Sequence, residues 1–238
     1  TIMEDSTMEE TYGAPAYNPE QLGTYIENVL KLEAVACKDW LTNKVDRSVT
    51  GKIARQQCQG EIQLPLSDCG AIALDYKGYA GMATSLGHAP QVAMIDPAAG
   101  SVMAVAEALT NIVFAPLTHG LQGVSLSANW MWPCRNPGED ARLYKAVEAC
   151  SEFAGELGIN IPTGKDSLSM TQKYGDDKIF SPGTVIISAA AEVKNIRRIV
   201  SPVLAYIKGT YLYYIDFSFD TFKLGGSAFA QPMSKVGD

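Results

Sequence analysis

Long apolar runs, basic clusters and paired cysteines are all missing from this sequence, and each absence removes a class of function. No window approaches the roughly 18 uninterrupted apolar residues that a membrane-spanning helix requires, so no membrane partner is expected. Lys and Arg number 19 against 26 Asp and Glu, a formal net charge of −7. A nucleic-acid polymer is not expected either, because neutralising a phosphate backbone takes clustered basic side chains, and the densest group here is Lys194 with Arg197 and Arg198. The five cysteines, Cys37, Cys58, Cys69, Cys134 and Cys150, are odd in number and lack C-x-x-C spacing, which indicates neither a disulfide framework nor a zinc site. They read as reduced, mostly buried thiols, with a catalytic cysteine as the alternative. No acid motif frames His88 or His119, so a catalytic triad has no support. The first residues, Thr1 to Ser6, are acidic where a secretory leader would be positive, and a cytoplasmic location is expected. What the sequence does have is apolar character: 47% of its 238 residues, enough to bury a substantial core.

Residues 1–17 are polar and acidic and read as a linker. Asn18-Pro19-Glu20-Gln21 then supplies an N-cap, a proline at the first helical position and a glutamine three residues after the cap, which predicts a helix. The stretch Asp46 to Gly60 is too polar for core and is expected to be a functional loop. Cys69 to Tyr76 reads as a buried strand, bounded by Pro65 to Asp68 and by Lys77-Gly78. Asp96 as N-cap and Pro97 at the first helical position announce a second helix, which runs toward the breaker Pro116. Strands are predicted at Gly123 to Ser127 and at Gly183 to Val193. Between them Pro137-Gly138-Glu139-Asp140 opens a helix that Gly158 closes. After Val193 the segment KNIRRIVSP is basic and ends in proline, and a fresh strand pattern, Thr210 to Asp216, lies beyond it. That pattern reads as a domain boundary near residue 200. Residues 201–238 are too few to bury a core of their own and are expected to be the truncated start of a second domain.

Several groups could carry chemistry. Glu107 and Asn111 lie four apart and share one face of the Asp96-capped helix, while Val102, Val105 and Ile112 fall largely on others. A carboxylate and an amide aligned in this way are oxygen donors suited to Mg²⁺; a solvated helix face is the alternative. Asp68, just before the apolar strand, can complete such a site from the rim of a sheet, or can cap its own turn. Pro162 to Met170 places Gly164 beside Lys165, Asp166 and the hydroxyls of Ser167 and Ser169, the composition of an anion loop and equally of an ordinary turn. Asp46-Arg47-Ser48 could orient a substrate through its guanidinium or form a salt-bridged turn. Trp130, Trp132 and Pro133 near Arg135 could stack on bases, but with an acidic chain core packing is the expectation.

The order of the blocks DRSVTG, ARQQCQG, LPLSDC, VAEALTN, LSANWM, PGED and IPTGKDSLSM, from Asp46 to Met170, resembles the synthetase region of the large, single-chain phosphoribosylformylglycinamidine synthases. The resemblance covers most of residues 44 to about 230 and is to the second of two AIR-synthetase-like halves. It implies an α+β fold: an AIR-synthetase N-terminal-like domain with a sheet of roughly four strands and helices on one face, followed by the start of a second α/β domain. The sheet's other face would pair with the sister half to close a barrel, so the isolated chain is expected to self-associate.

The implied activity is an ATP-dependent ligation that converts formylglycinamide ribonucleotide to the amidine with ammonia from glutamine, a phosphoryl-transfer chemistry. The implied cofactors are Mg²⁺ and ATP or ADP. The implied partners are small-molecule substrates and the rest of the synthase: the sister half and a glutaminase domain, which none of the five cysteines matches. By residue matching Asp68, Glu107 and Asn111 fall on magnesium positions and Ser67 on a nucleotide contact; Lys165 and Asp166 are carried as further nucleotide-binding candidates. In this half the site is implied to be auxiliary, holding ADP for structure. Two other readings stay open: a packing half with no ligand, and another ATP-dependent AIR-synthetase-like enzyme.

Overall fold

The computed structural model describes residues 13–42, 45–218 and 223–238, so most of the expected linker, residues 1–12, lies outside the described residues. The chain opens where the Asn18 cap predicts: Asn18 Oδ1 accepts from the Glu20 N–H at 3.0 Å, and a short 3₁₀ turn, Pro19–Gln21, leads into α1 (Leu22–Lys31). The one-turn helix α2 (Asp39–Thr42) follows.

The polar stretch expected as one loop carries two short strands, β1 (Ile53–Arg55) and β2 (Cys58–Gln59), the latter pairing with β3 (Leu64–Pro65). Beyond it come β4 (Cys69–Ala73), β5 (Gly81–Gly87), α3 (Pro90–Ile95) and α4 (Pro97–Ile112). The second half holds β6 (Ser125–Met131), α5 (Glu139–Glu156), β7 (Asn160–Ser167), the hairpin β8 (Thr171–Tyr174) and β9 (Asp177–Phe180), and β10 (Thr184–Val193).

Among the described residues six strands, rather than about four, form the main sheet, in the order β1-β4-β5-β10-β6-β7. All neighbours are antiparallel except β6 and β7, which run parallel because α5 returns the chain between them. The stretch Pro162 to Met170, read as an anion loop or an ordinary turn, is therefore edge strand as far as Ser167: a parallel partner across Ala128↔Gly164 and Asn129↔Lys165 overrides the turn chemistry of its Gly and Pro. The fresh strand expected at Thr210 to Asp216 is not formed; no pairing involves it among the described residues.

Alternation divides the sheet into two faces. One row of cross-strand neighbours, Cys69, Ser85, Ala189 and Leu126, is buried, and the row beside it, Leu86, Ser188 and Ser127, is not. The buried face packs on α4 and α5, and the core includes Val105, Ile112, Cys150, Val185 and Ile187. Asp96 caps α4 through the N–H groups of Ala98 and Ala99 at 2.8 and 3.1 Å. Small residues let α4 lie close on β5: a Cβ on Gly87 would meet the Ala104 carbonyl oxygen at 2.1 Å, so no larger residue fits without moving the helix. Ser85 Oγ, buried at this contact, donates to the Ala108 carbonyl at 2.6 Å. Trp132 is 1% exposed, core rather than a stacking platform.

Candidate functional site

The start of β4 and the end of α4 are brought together because β5 lies between them. Asn111 Nδ2 donates to the Leu86 carbonyl at 3.0 Å, and Glu107 Oε2 accepts from the His88 N–H at 2.7 Å. These two bonds fasten one face of α4 to the end of β5. They also orient the donors: with its Nδ2 held by Leu86, the Asn111 amide presents Oδ1 as an open acceptor.

Asn111, Ser67 and Asp68 line one cavity of about 160 Å³, with Arg55, Leu66, Cys69, Phe114 and the segment 199–202 as the rest of its wall. Ser67 Oγ is buried and has no hydrogen-bond partner among the described residues. Asp68 forms no ion pair among them. Glu107 stands one turn before Asn111 on the same helix face and is not part of this lining. Among the described residues there is no group of three or more His, Cys, Asp or Glu able to hold a metal ion; a cation here would rest on two carboxylates and an amide. Burial pushes the Cys69 thiol up from its ordinary value, while the Arg55 guanidinium pulls it partly back and the Asp68 carboxylate adds to the rise.

Lys165 and Asp166 do not join this group. They lie on β7, four strand positions from β4 across the sheet, a separation of about 19 Å at ordinary strand spacing. Lys165 Nζ donates to Ser167 Oγ at 2.5 Å, and both Lys165 and Asp166 are exposed. The Asp46-Arg47-Ser48 stretch is not a salt-bridged turn: among the described residues Arg47 makes no ion pair and donates from Nε to Gln56 Oε1 at 2.6 Å and from Nη2 to Gln63 Oε1.

Sequence reasoning missed Arg55 and the segment Ile199 to Pro202. The latter reads as an interdomain boundary, yet Arg55 Nη2 donates to the Ile199 carbonyl at 2.8 Å and holds it against the cavity. A contact across 144 positions leaves no signal in local composition. No disulfide joins the cysteines among the described residues, and Cys58, Cys69 and Cys150 are buried. No helix among the described residues is long and apolar enough to cross a membrane.

A family model described as the FGAR-AT PurM_N-like domain matches residues 37–192. Among curated proteins, the chain is 45% identical over 214 residues to phosphoribosylformylglycinamidine synthase of Homo sapiens, covering 90% of this chain and 16% of that protein. It is 44% identical over 218 residues to the Drosophila melanogaster protein of the same name, covering 89% of this chain and 16% of that protein. The chain thus spans about a sixth of the length of these relatives. Among solved structures, PurLQS from Thermotoga maritima aligns with a TM-score of 0.52 at 16% identity, over 69% of this chain and 25% of that chain. T. maritima PurL complexed with ADP aligns with a TM-score of 0.50 at 17% identity, over 70% of this chain and 25% of that chain. At those identities the likeness is one of fold.

Proposed function

We propose, for a chain that belongs to the family of FGAR-AT PurM_N-like domains, that it is the segment of a phosphoribosylformylglycinamidine synthase that holds a magnesium-nucleotide site. In this reading residues 18–200 are the AIR-synthetase-like N-terminal domain and 201–238 open the next α/β domain. The whole enzyme converts formylglycinamide ribonucleotide to the amidine, using ATP and glutamine, in purine biosynthesis in the cytoplasm.

The observation that carries the reading is the cavity shared by Ser67, Asp68 and Asn111, with the buried, unpartnered Ser67 Oγ in its wall. The donor set is all oxygen, the preference of Mg²⁺, which keeps nucleotide phosphates among its ligands and neutralises charge that develops on them. Asp68, Glu107 and Asn111 are assigned to the metal, and Ser67 to a phosphate oxygen. Arg55, in the same wall, offsets nucleotide charge. Lys165 and Asp166, far across the sheet, are not assigned to this nucleotide. Titration calorimetry with ADP and Mg²⁺ tests the assignment: Asp68→Asn with Glu107→Gln should weaken binding by about tenfold or more, and equal heats in both proteins would remove these residues from the site.

A second reading, a packing half without ligand, is favoured by the bonds of Glu107 to His88 and of Asn111 to Leu86, which already give both side chains a structural task. It expects the same variant to lose melting temperature and to show no nucleotide response in either form.

The uncovered sheet face supports the partner assignment. Ile72, Met82 and Glu192 form one of its cross-strand rows, and Leu86, two rows along the same face, is 59% exposed. The sister half would cover this face in the whole enzyme. In its absence a second copy takes that place, and sedimentation should show a concentration-dependent dimer; a monodisperse monomer would contradict it.

A further inference from the structure

The polar segment before β4 encloses a second cavity, of about 280 Å³, lined by Arg47, Ser48, Arg55, Gln56, Gln59 and Gln63 together with Ile53, Ala54 and Cys58. Among the described residues no carboxylate is in that lining. Both arginines are half-buried, and neither forms an ion pair among the described residues. Neutral amide oxygens hold their guanidinium groups instead: Arg47 through Gln56 and Gln63, Arg55 through Gln59 at 2.6 Å. Arg55 Nε is buried with no acceptor among the described residues.

Two like charges drawn into one partly desolvated cavity without a counter-charge are unfavourable. Glutamines orient guanidinium groups without neutralising them, so the remaining N–H donors stay available to a ligand with negative oxygens. We propose that this cavity is an oxyanion site for a phosphate group, distinct from the Asp68 cavity and independent of a metal. Arg47 and Arg55 supply the forked donors, and the Ser48 hydroxyl lies in the same lining. Arg55 also lines the Asp68 cavity, so one side chain separates the two sites. A phosphate in the second cavity would offset part of the Arg55 charge that also faces the first.

The test uses the whole 238-residue chain, inorganic phosphate as the probe, EDTA in place of Mg²⁺, and chloride to hold ionic strength constant. Phosphate should raise the melting temperature saturably while acetate does not. Arg47→Gln should weaken phosphate binding by about tenfold or more, read as the phosphate shift relative to the variant's own melting in chloride. Gln63→Glu sets a carboxylate against Arg47 and should abolish the response to phosphate while raising the melting temperature in chloride. Asp68→Asn should leave the phosphate response intact, so that failure of the nucleotide reading is distinguishable from failure of this one. No saturable phosphate shift, an equal shift from acetate, or an undiminished response in Arg47→Gln or Gln63→Glu would overturn the proposal.

Discussion

β10 and the stretch Tyr211 to Phe217 are both rich in residues that favour strands, yet they end in opposite states. Val185, Ile187 and Val193 of β10 are at most 2% exposed, and the strand has a partner on either side, β5 and β6. Tyr213 and Ile215 are 85% and 71% exposed, and no strand pairs with their segment among the described residues. The difference lies in what each sequence meets. β10 slots between two antiparallel neighbours over α4, so its alternate side chains enter a core; the later segment finds no edge and no apolar face to cover it. Strand preference is a preference for a pleated, half-buried surface, and it goes unexpressed where that surface is missing.

Substitutions can break or sharpen this contrast. Ile187→Ala opens a cavity in the closed part of the core and should cost about 2–5 kcal/mol of unfolding free energy, read by urea denaturation. Next in size is a pH effect confined to the same core. Burial pushes the Cys150 thiol up to about 11 from an ordinary value near 9. Between those values the unfolded chain has released the thiol proton and the folded chain retains it. Stability should therefore fall as pH rises from about 9 to about 11, by at most ~1.4 kcal/mol per pH unit from this group. Cys150→Ala removes that part of the slope, and an unchanged slope would show that the thiol is not held neutral. The smallest effect belongs to the uncovered stretch: Ile215→Ala should change stability by no more than about 0.5 kcal/mol. A larger loss would mean that the segment is packed in solution and that the contrast with β10 fails.

Helices α1, α4 and α5 were legible because their start signals are local, whereas α2 and α3, only one or two turns long, were not. Asp96 and Pro97 open α4, and Gly138, at φ +80°, precedes α5 in a conformation that favours glycine. β1, β5 and β7 were not legible. Gly81, Ser85 and Gly87 of β5 carry little strand preference, and Pro162 and Gly164 of β7 argue against a strand; each is recruited by the hydrogen bonds of a neighbour. The candidate site divides in the same way. The four-residue spacing of Glu107 and Asn111 puts them on one helix face without further information, whereas Arg55 and Ile199 belong to the wall only because distant segments fold over the start of β4.

By itself the sequence determined where α1, α4 and α5 begin, the apolar strand after Asp68, the acidic charge balance and the family likeness, since each rests on neighbouring residues or on their order. Tertiary structure alone decided which strands pair, that Lys165 stands at the far edge of the sheet from Asp68, and that Arg47 faces glutamines rather than acids. Those outcomes depend on hydrogen bonds and burial between segments far apart in the chain, a free energy that local composition does not carry.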